Sequence, residues 1–163
     1  MISCTLVLLK PDAVQRALVG EIIKRFEISG LKIIGLKLVH ADKELASRHY
    51  TEELAKRRGE HIRNWNIDFI SSGPVVAIAI EGVNAIENVR KMVGETEPKS
   101  ALPGTIRGDF SHVSYSYCDN KKMVVKNVIH ASANKEDAER ELDVWFKKNE
   151  FYSYRSMHDE HML

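Results

Sequence analysis

A histidine closing an apolar run, a serine just beyond it and a glutamate on the following helix can together do nucleophilic chemistry. Here the run is Met123 to Ile129, and the three residues are His130, Ser132 and Glu141. Imidazole changes proton and role readily near neutral pH. When a carboxylate or hydroxyl holds one ring nitrogen, the other becomes a positioned nucleophile. An isolated histidine at a strand end is as readily structural, so this chemistry requires that the three side chains meet. A second group of residues suits phosphate. The chain has neither GxxxxGK[ST] nor GxGxxG after its first apolar run, so any nucleotide must be held by side chains rather than by a backbone cradle. Lys10, Arg90, Thr96 and Arg107 are the candidates.

Each candidate has a plainer alternative. Lys10 follows an apolar strand and stands on a rigid base, yet a strand-end lysine is commonly just solvated. Arg90 comes late in a helical pattern, where a cation also suits the helix dipole. Arg107 lies between Gly104 and Gly108 in the run Pro103 to Phe110. Glycine turns there can present a forked guanidinium to phosphate, and pairing with Asp109 is the structural alternative. His158 and His161 bracket acidic residues in the tail, a pattern too common to read as a metal site. Cys4 and Cys118 match no metal or redox spacing and read as reduced thiols.

The elements that position these residues follow from periodicity and punctuation. Ser3 to Leu9 reads as a buried strand, with a turn at Lys10-Pro11-Asp12. Val19, Ile22, Ile23 and Phe26 share one helical face, and Gly30 ends that helix. Leu31 to Val39 reads as a second strand. Asp42 to Ser71 is helical, broken near Arg57-Arg58-Gly59, and Val75 to Ile80 is a third strand. Val83, Ile86, Val89 and Val93 mark another helix. Gly94 to Phe110 reads as a long ordered loop of the kind that carries function. Asp119 to Lys122 reads as a hairpin tip, Met123 to Ile129 as the last strand, and Asn134 as the cap of a final helix with Asp137 at N3. The tail 151–163 has no clear element. This order predicts an α+β, ferredoxin-like βαββαβ sandwich: a four-stranded antiparallel sheet, helices on one face, a helical insertion and a long Gly/Pro-containing loop. Residues 1–163 read as one domain.

Composition removes other classes. With 24 basic against 23 acidic residues the net charge is +1, so there is no electrostatic footprint for nucleic acid. The aromatic, basic strand motif of a ferredoxin-like RNA-binding sheet is also absent. Met1 to Leu9 is too short for a signal-peptide core, and no apolar run reaches membrane-spanning length. A cytoplasmic protein with no membrane partner is expected.

Five ordered segments make the chain resemble nucleoside diphosphate kinases. They are Leu9 to Arg16, Ser72 to Val76, Gly94 to Thr96, Pro103 to Phe110 and Asn127 to Ser132. The resemblance implies transfer of the γ-phosphate of a nucleoside triphosphate to a diphosphate, by a ping-pong route through a phosphohistidine at His130. Glu141 and Ser132 would position that histidine. Lys10 and Asn127 would hold the ribose 3′-hydroxyl, with Lys10 also neutralising the moving phosphoryl group. Tyr50, Arg90, Thr96 and Arg107 would surround the phosphates and the histidine. It further implies Mg²⁺ carried by the nucleotide phosphates rather than by protein ligands. Substrates would be ATP, GTP, GDP and their relatives. The assembly would be a homo-oligomer, a hexamer in preference to a tetramer.

The chain departs from the family pattern in three places. Ala133 stands where an aspartate is common, which would remove a water-mediated contact to Mg²⁺. The stretch from Tyr50 to Ser72 is longer than usual and lacks Pro-Phe-Phe, leaving Trp65 or Ile62 to stack on the base. An insertion covers Tyr115 to Lys122. The alternative to an active kinase is a nucleotide-binding or regulatory member without efficient turnover.

Overall fold

The computed structural model describes residues 1–162. Strand β1 (Ile2–Leu9) runs into a short helix α1 (Pro11–Gln15), followed by α2 (Val19–Ile28) and β2 (Lys32–His40). Three helices come next: α3 (Lys43–His49), α4 (Glu52–Arg58) and α5 (Glu60–Ile70). Then follow β3 (Pro74–Val83), α6 (Ala85–Val93), α7 (Ile106–Phe110), α8 (Tyr115–Asn120), β4 (Ile129–Ala131), α9 (Lys135–Trp145) and α10 (Asp159–Met162). The sheet order is β2-β3-β1-β4, with every pairing antiparallel. That is the ferredoxin-like order.

Side-chain alternation along the central strands builds two cores, because successive residues point to opposite faces. Val7, Leu9, Ile78 and Ile80 pack with Ile22 and Phe26 of α2 and Val89 of α6. Leu6, Leu8, Ala77 and Ala79 pack with Ala46 of α3, Ile70 of α5 and Trp145 of α9. The two crossover helices thus share one face, as the plan requires, while the inserted helices and the last long helix cover the other.

Several local expectations change. Lys10-Pro11-Asp12 begins a helix rather than a turn, because Pro11 takes the first helical position, where its missing N–H costs nothing. The helical stretch after Asp42 is three helices, not two; its break at Gly59 needs φ +100°. Gly30 follows the α2 cap with φ +81°, as the pattern requires. The long loop after Gly94 contains α7, and the supposed hairpin tip is the end of α8. The last strand is the largest correction, since only Ile129–Ala131 pairs with β1. Lys122 and Val128 hold φ of +51° and +60°, which an extended run does not allow.

Candidate active site

Register carries His130 to its place. It pairs with Leu8 across β1 and β4, and paired residues of antiparallel strands point to the same face. Leu8 belongs to the core beneath α3 and α9, so the His130 ring rises under those helices. There Glu141, from the second turn of α9, meets it: His130 Nε2 lies 2.8 Å from Glu141 Oε2. Ser132 Oγ donates to the same carboxylate oxygen at 2.7 Å. Asn134 starts α9 by accepting from Asp137 N at 2.8 Å, which sets the helix phase that turns Glu141 inward. The result is an imidazole with Nε2–H donated to a carboxylate and Nδ1 left as a lone-pair nitrogen.

The Glu141 carboxyl is held ionised. Burial alone would push its pKa up, but the His130 imidazole, with the Ser132 hydroxyl adding its hydrogen bond, takes it down to about 2. Arg140 closes this side by reaching Glu141 Oε1 at 3.4 Å and the carbonyls of Arg48 and His49 at the end of α3.

The cationic side is built from the ends of β1 and α6 and the loop beyond. Lys10 is 5% exposed and donates to Asn127 Oδ1 at 2.8 Å. Asn127 in turn donates to the Thr96 carbonyl at 2.8 Å. Burial, then the neighbouring Arg107, lowers the Lys10 pKa to about 8, against a smaller pull upward from Asp12. Asp12 accepts from Val128 N at 3.0 Å, so it secures the left-handed residue between Asn127 and Ile129. Arg107 is 7% exposed and donates to the Gly94 and Ile129 carbonyls at 2.8 and 2.7 Å. Burial lowers its pKa to about 10, so it stays charged at neutral pH. Its alternative partner is taken, since Asp109 pairs with Arg25 at 2.7 Å. The flanking glycines also act differently from expectation. Gly104 does turn, with φ +88°, but at Gly108 a Cβ would collide with the Leu102 carbonyl. Gly108 is there for close packing.

Lys10, Tyr50, Arg90, Thr96, Arg107, Asn127, His130 and Glu141 all line one cleft of about 570 Å³. Ser132 stands behind it as a support, fully buried. Burial, and then Glu141, raises the Tyr50 phenol above its usual pKa, so it remains a neutral donor. Ile62 and Trp65 both reach the cleft from α5, while α8 and the chain after it add Tyr115, Asp119 and Val124. Ala133 lines the cleft with no carboxylate.

His49 and Arg140 are site residues that the sequence does not single out. His49 lies directly against His130. It is 3% exposed, accepts from Trp145 Nε1 at 3.3 Å, and sets its ring edge-on to His130, with centroids 4.4 Å apart. Burial, then His130, pushes its pKa well below 6.5, so it is neutral. The 4.0 Å approach of its Nδ1 to Glu141 Oε1 is therefore no ion pair. Its position on the apolar face of α3, beside Leu45 and Ala46, was the available signal, and that signal equally describes a core histidine. His49, His130 and Glu141 form a cluster with ligand spacing. Two imidazoles and an already engaged carboxylate do not suit a hard cation such as Mg²⁺. The lysine and arginines opposite suit an anion.

Residues 3–151 match the family model described as nucleoside diphosphate kinase. A nucleoside diphosphate kinase of Borreliella burgdorferi is 47% identical over 156 residues, 95% of this chain and 93% of that one. One from Pyrococcus furiosus is 51% identical over 150 residues, 92% of this chain and 86% of its own. Among solved structures, a transition-state mimic of the Borrelia burgdorferi enzyme with bound vanadate and ADP superposes with TM-score 0.97 at 46% identity. It covers 99% of this chain and 96% of that one. A halophilic nucleoside diphosphate kinase from Halobacterium salinarum in complex with CDP gives 0.84 at 34% identity, covering 99% and 98%.

Proposed function

The chain belongs to the nucleoside diphosphate kinase family and is a phosphotransferase, and on that premise we propose that His130 Nδ1 carries the phosphoryl group between nucleotides. The supporting observation is the 2.8 Å contact between His130 Nε2 and Glu141, which leaves Nδ1 as the uncommitted nitrogen of a ring that lines the cleft.

In the first half-reaction the Nδ1 lone pair attacks the γ-phosphorus. The bond to the β–γ bridging oxygen breaks, and the nucleoside diphosphate leaves. In the second, a terminal oxygen of an acceptor diphosphate attacks the same phosphorus and the P–N bond breaks. Nε2–H gives its hydrogen bond to Glu141 throughout, so the positive charge that develops on the ring is compensated without a proton leaving. Lys10, Arg90 and Arg107 spread positive charge around the transferring group, which is the main demand of this chemistry. Thr96 and Tyr50 supply neutral donors, and the Lys10–Asn127 pair would hold a ribose hydroxyl between them. Mg²⁺ on the nucleotide phosphates would neutralise and align them, with no protein carboxylate required. The base lies toward α5, with Trp65 or Ile62 against it.

We further propose that the protein is a cytoplasmic homo-oligomer, a hexamer rather than a tetramer. Leu36 and Leu38, 53% and 66% exposed on the outer strand β2, support burial against a second copy. Light scattering of the purified protein tests it.

Incubation with γ-labelled ATP and Mg²⁺ without acceptor tests the histidine route. Acid-labile, base-stable label that moves to added GDP is expected. His130→Ala is expected to fold and take no label. Near-full transfer by that variant would overturn the mechanism.

A further inference from the structure

The inserted segment around α8 supplies a wall of the cleft that the phosphate chemistry does not use. It is a built wall. Tyr115 N donates to Glu97 Oε1 at 2.7 Å, and Ser114 Oγ caps the helix by accepting from Tyr117 N at 3.2 Å. Lys122 N and Met123 N close its far end onto the Asp119 and Cys118 carbonyls, each at 3.0 Å. Cys118 is buried, and the Arg58 guanidinium of α4 lies 4.5 Å from the centre of the Tyr115 ring. These contacts tie α8 to α4 and to the loop after α6.

From the last turn of α8, Asp119 lines the cleft, as does Arg57 from the last turn of α4. Among the described residues neither side chain has a hydrogen-bond or ion-pair partner, although Arg25, Arg63 and Arg140 are all paired. A free carboxylate and a free guanidinium thus line the same cleft as Ile62, Trp65 and Val124, on two helices that the Arg58–Tyr115 contact holds together.

We infer that Asp119 is a specificity-determining residue, accepting hydrogen bonds from the N1–H and N2–H₂ edge of a guanine base, with Arg57 donating to O6. Guanine presents two adjacent donors beside one acceptor, the complement of this pair. Uracil presents one N–H between two carbonyl oxygens, which a carboxylate repels. This rests on the reading that the phosphates lie at His130 and the base toward α5. Because both groups are exposed to water, the discrimination is modest.

The test compares GDP and UDP as acceptors, and their binding by calorimetry, in the wild type, Asp119→Ala, Asp119→Asn and Arg57→Ala. In Asp119→Ala the GDP-to-UDP ratio of kcat/KM is expected to fall about fivefold, with the change in KM for GDP. Asp119→Asn keeps an acceptor and falls less, and Arg57→Ala falls in the same direction. An unchanged ratio in Asp119→Ala, or equal losses for both nucleotides, overturns the assignment. Should His130 take no label, the calorimetric GDP-to-UDP ratio still decides it, separately from the histidine route. Unchanged circular dichroism excludes misfolding as the cause.

Discussion

At the scale of single residues, the site depends on a few groups whose protonation burial and close neighbours have shifted. Glu141→Gln keeps an acceptor for His130 Nε2–H but removes the charge that offsets the developing imidazolium. Its kcat should drop by about 10- to 100-fold, with label still found on His130, as single-turnover labelling would show. Lys10 has a folded pKa of about 8 against an ordinary value of 10.5. In the free enzyme it loses its charge above about pH 8, so kcat/KM should fall through that range, and Lys10→Met should lack this limb. The stability consequence has the opposite sign. Between about 8 and 10.5 the unfolded chain binds more protons, so the nucleotide-free protein gains stability as pH rises across that window. On the acid side two groups of the site, His49 and Glu141, are depressed. His49 favours the folded state above 6.5 and Glu141 above 4.5, and each contribution is lost as pH falls below those values. Melting temperatures from pH 7 to 4 should decline in two stages, and His49→Phe should remove the first.

At the scale of elements, helix phase and close backbone approach decide where these groups stand. Asn134→Ala removes the cap of α9 and should lower stability by about 1 kcal/mol, read by urea unfolding, with a larger proportional loss of activity as Glu141 loosens. Gly108→Ala forces the start of α7 away from Leu102 and displaces Arg107. A loss of about 1–3 kcal/mol is expected, together with weaker nucleotide binding. The elements legible from sequence were those with sustained periodicity: β1, α2, β3, α6 and the capped α9. Elements set by a few backbone torsions were not legible. Val128 is β-branched and reads as strand, yet it holds φ +60° because Asp12 and Lys10 secure its N–H and carbonyl from elsewhere in the chain.

At the scale of the molecule, the tail beyond Phe151 closes on β2, the sheet edge opposite β4. Tyr152 N donates to the Ile34 carbonyl and Tyr154 Oη to that of Ile33, both at 2.8 Å, and Asp159 joins Lys32 at 3.6 Å. Ending the chain after Phe151 should lower stability by about 1–3 kcal/mol while leaving kcat within about twofold, measured by thermal melting and steady-state assay. Leu8→Ala acts on both properties. Its side chain is fully buried and shares the face that carries His130, so about 2–5 kcal/mol and much of the activity should go together.

The sequence by itself determined the family, the order of strands and crossover helices, and which residue types could meet a phosphate, because these depend on local periodicity and on short motifs. It nominated His130, Ser132 and Glu141 without being able to bring them together. Only the tertiary structure decided that the Leu8 register points the imidazole beneath α3 and α9, that buried His49 stands edge-on to it, and that α8 walls the cleft. Those outcomes arise from pairing and packing between residues far apart in the chain, and no local pattern encodes them.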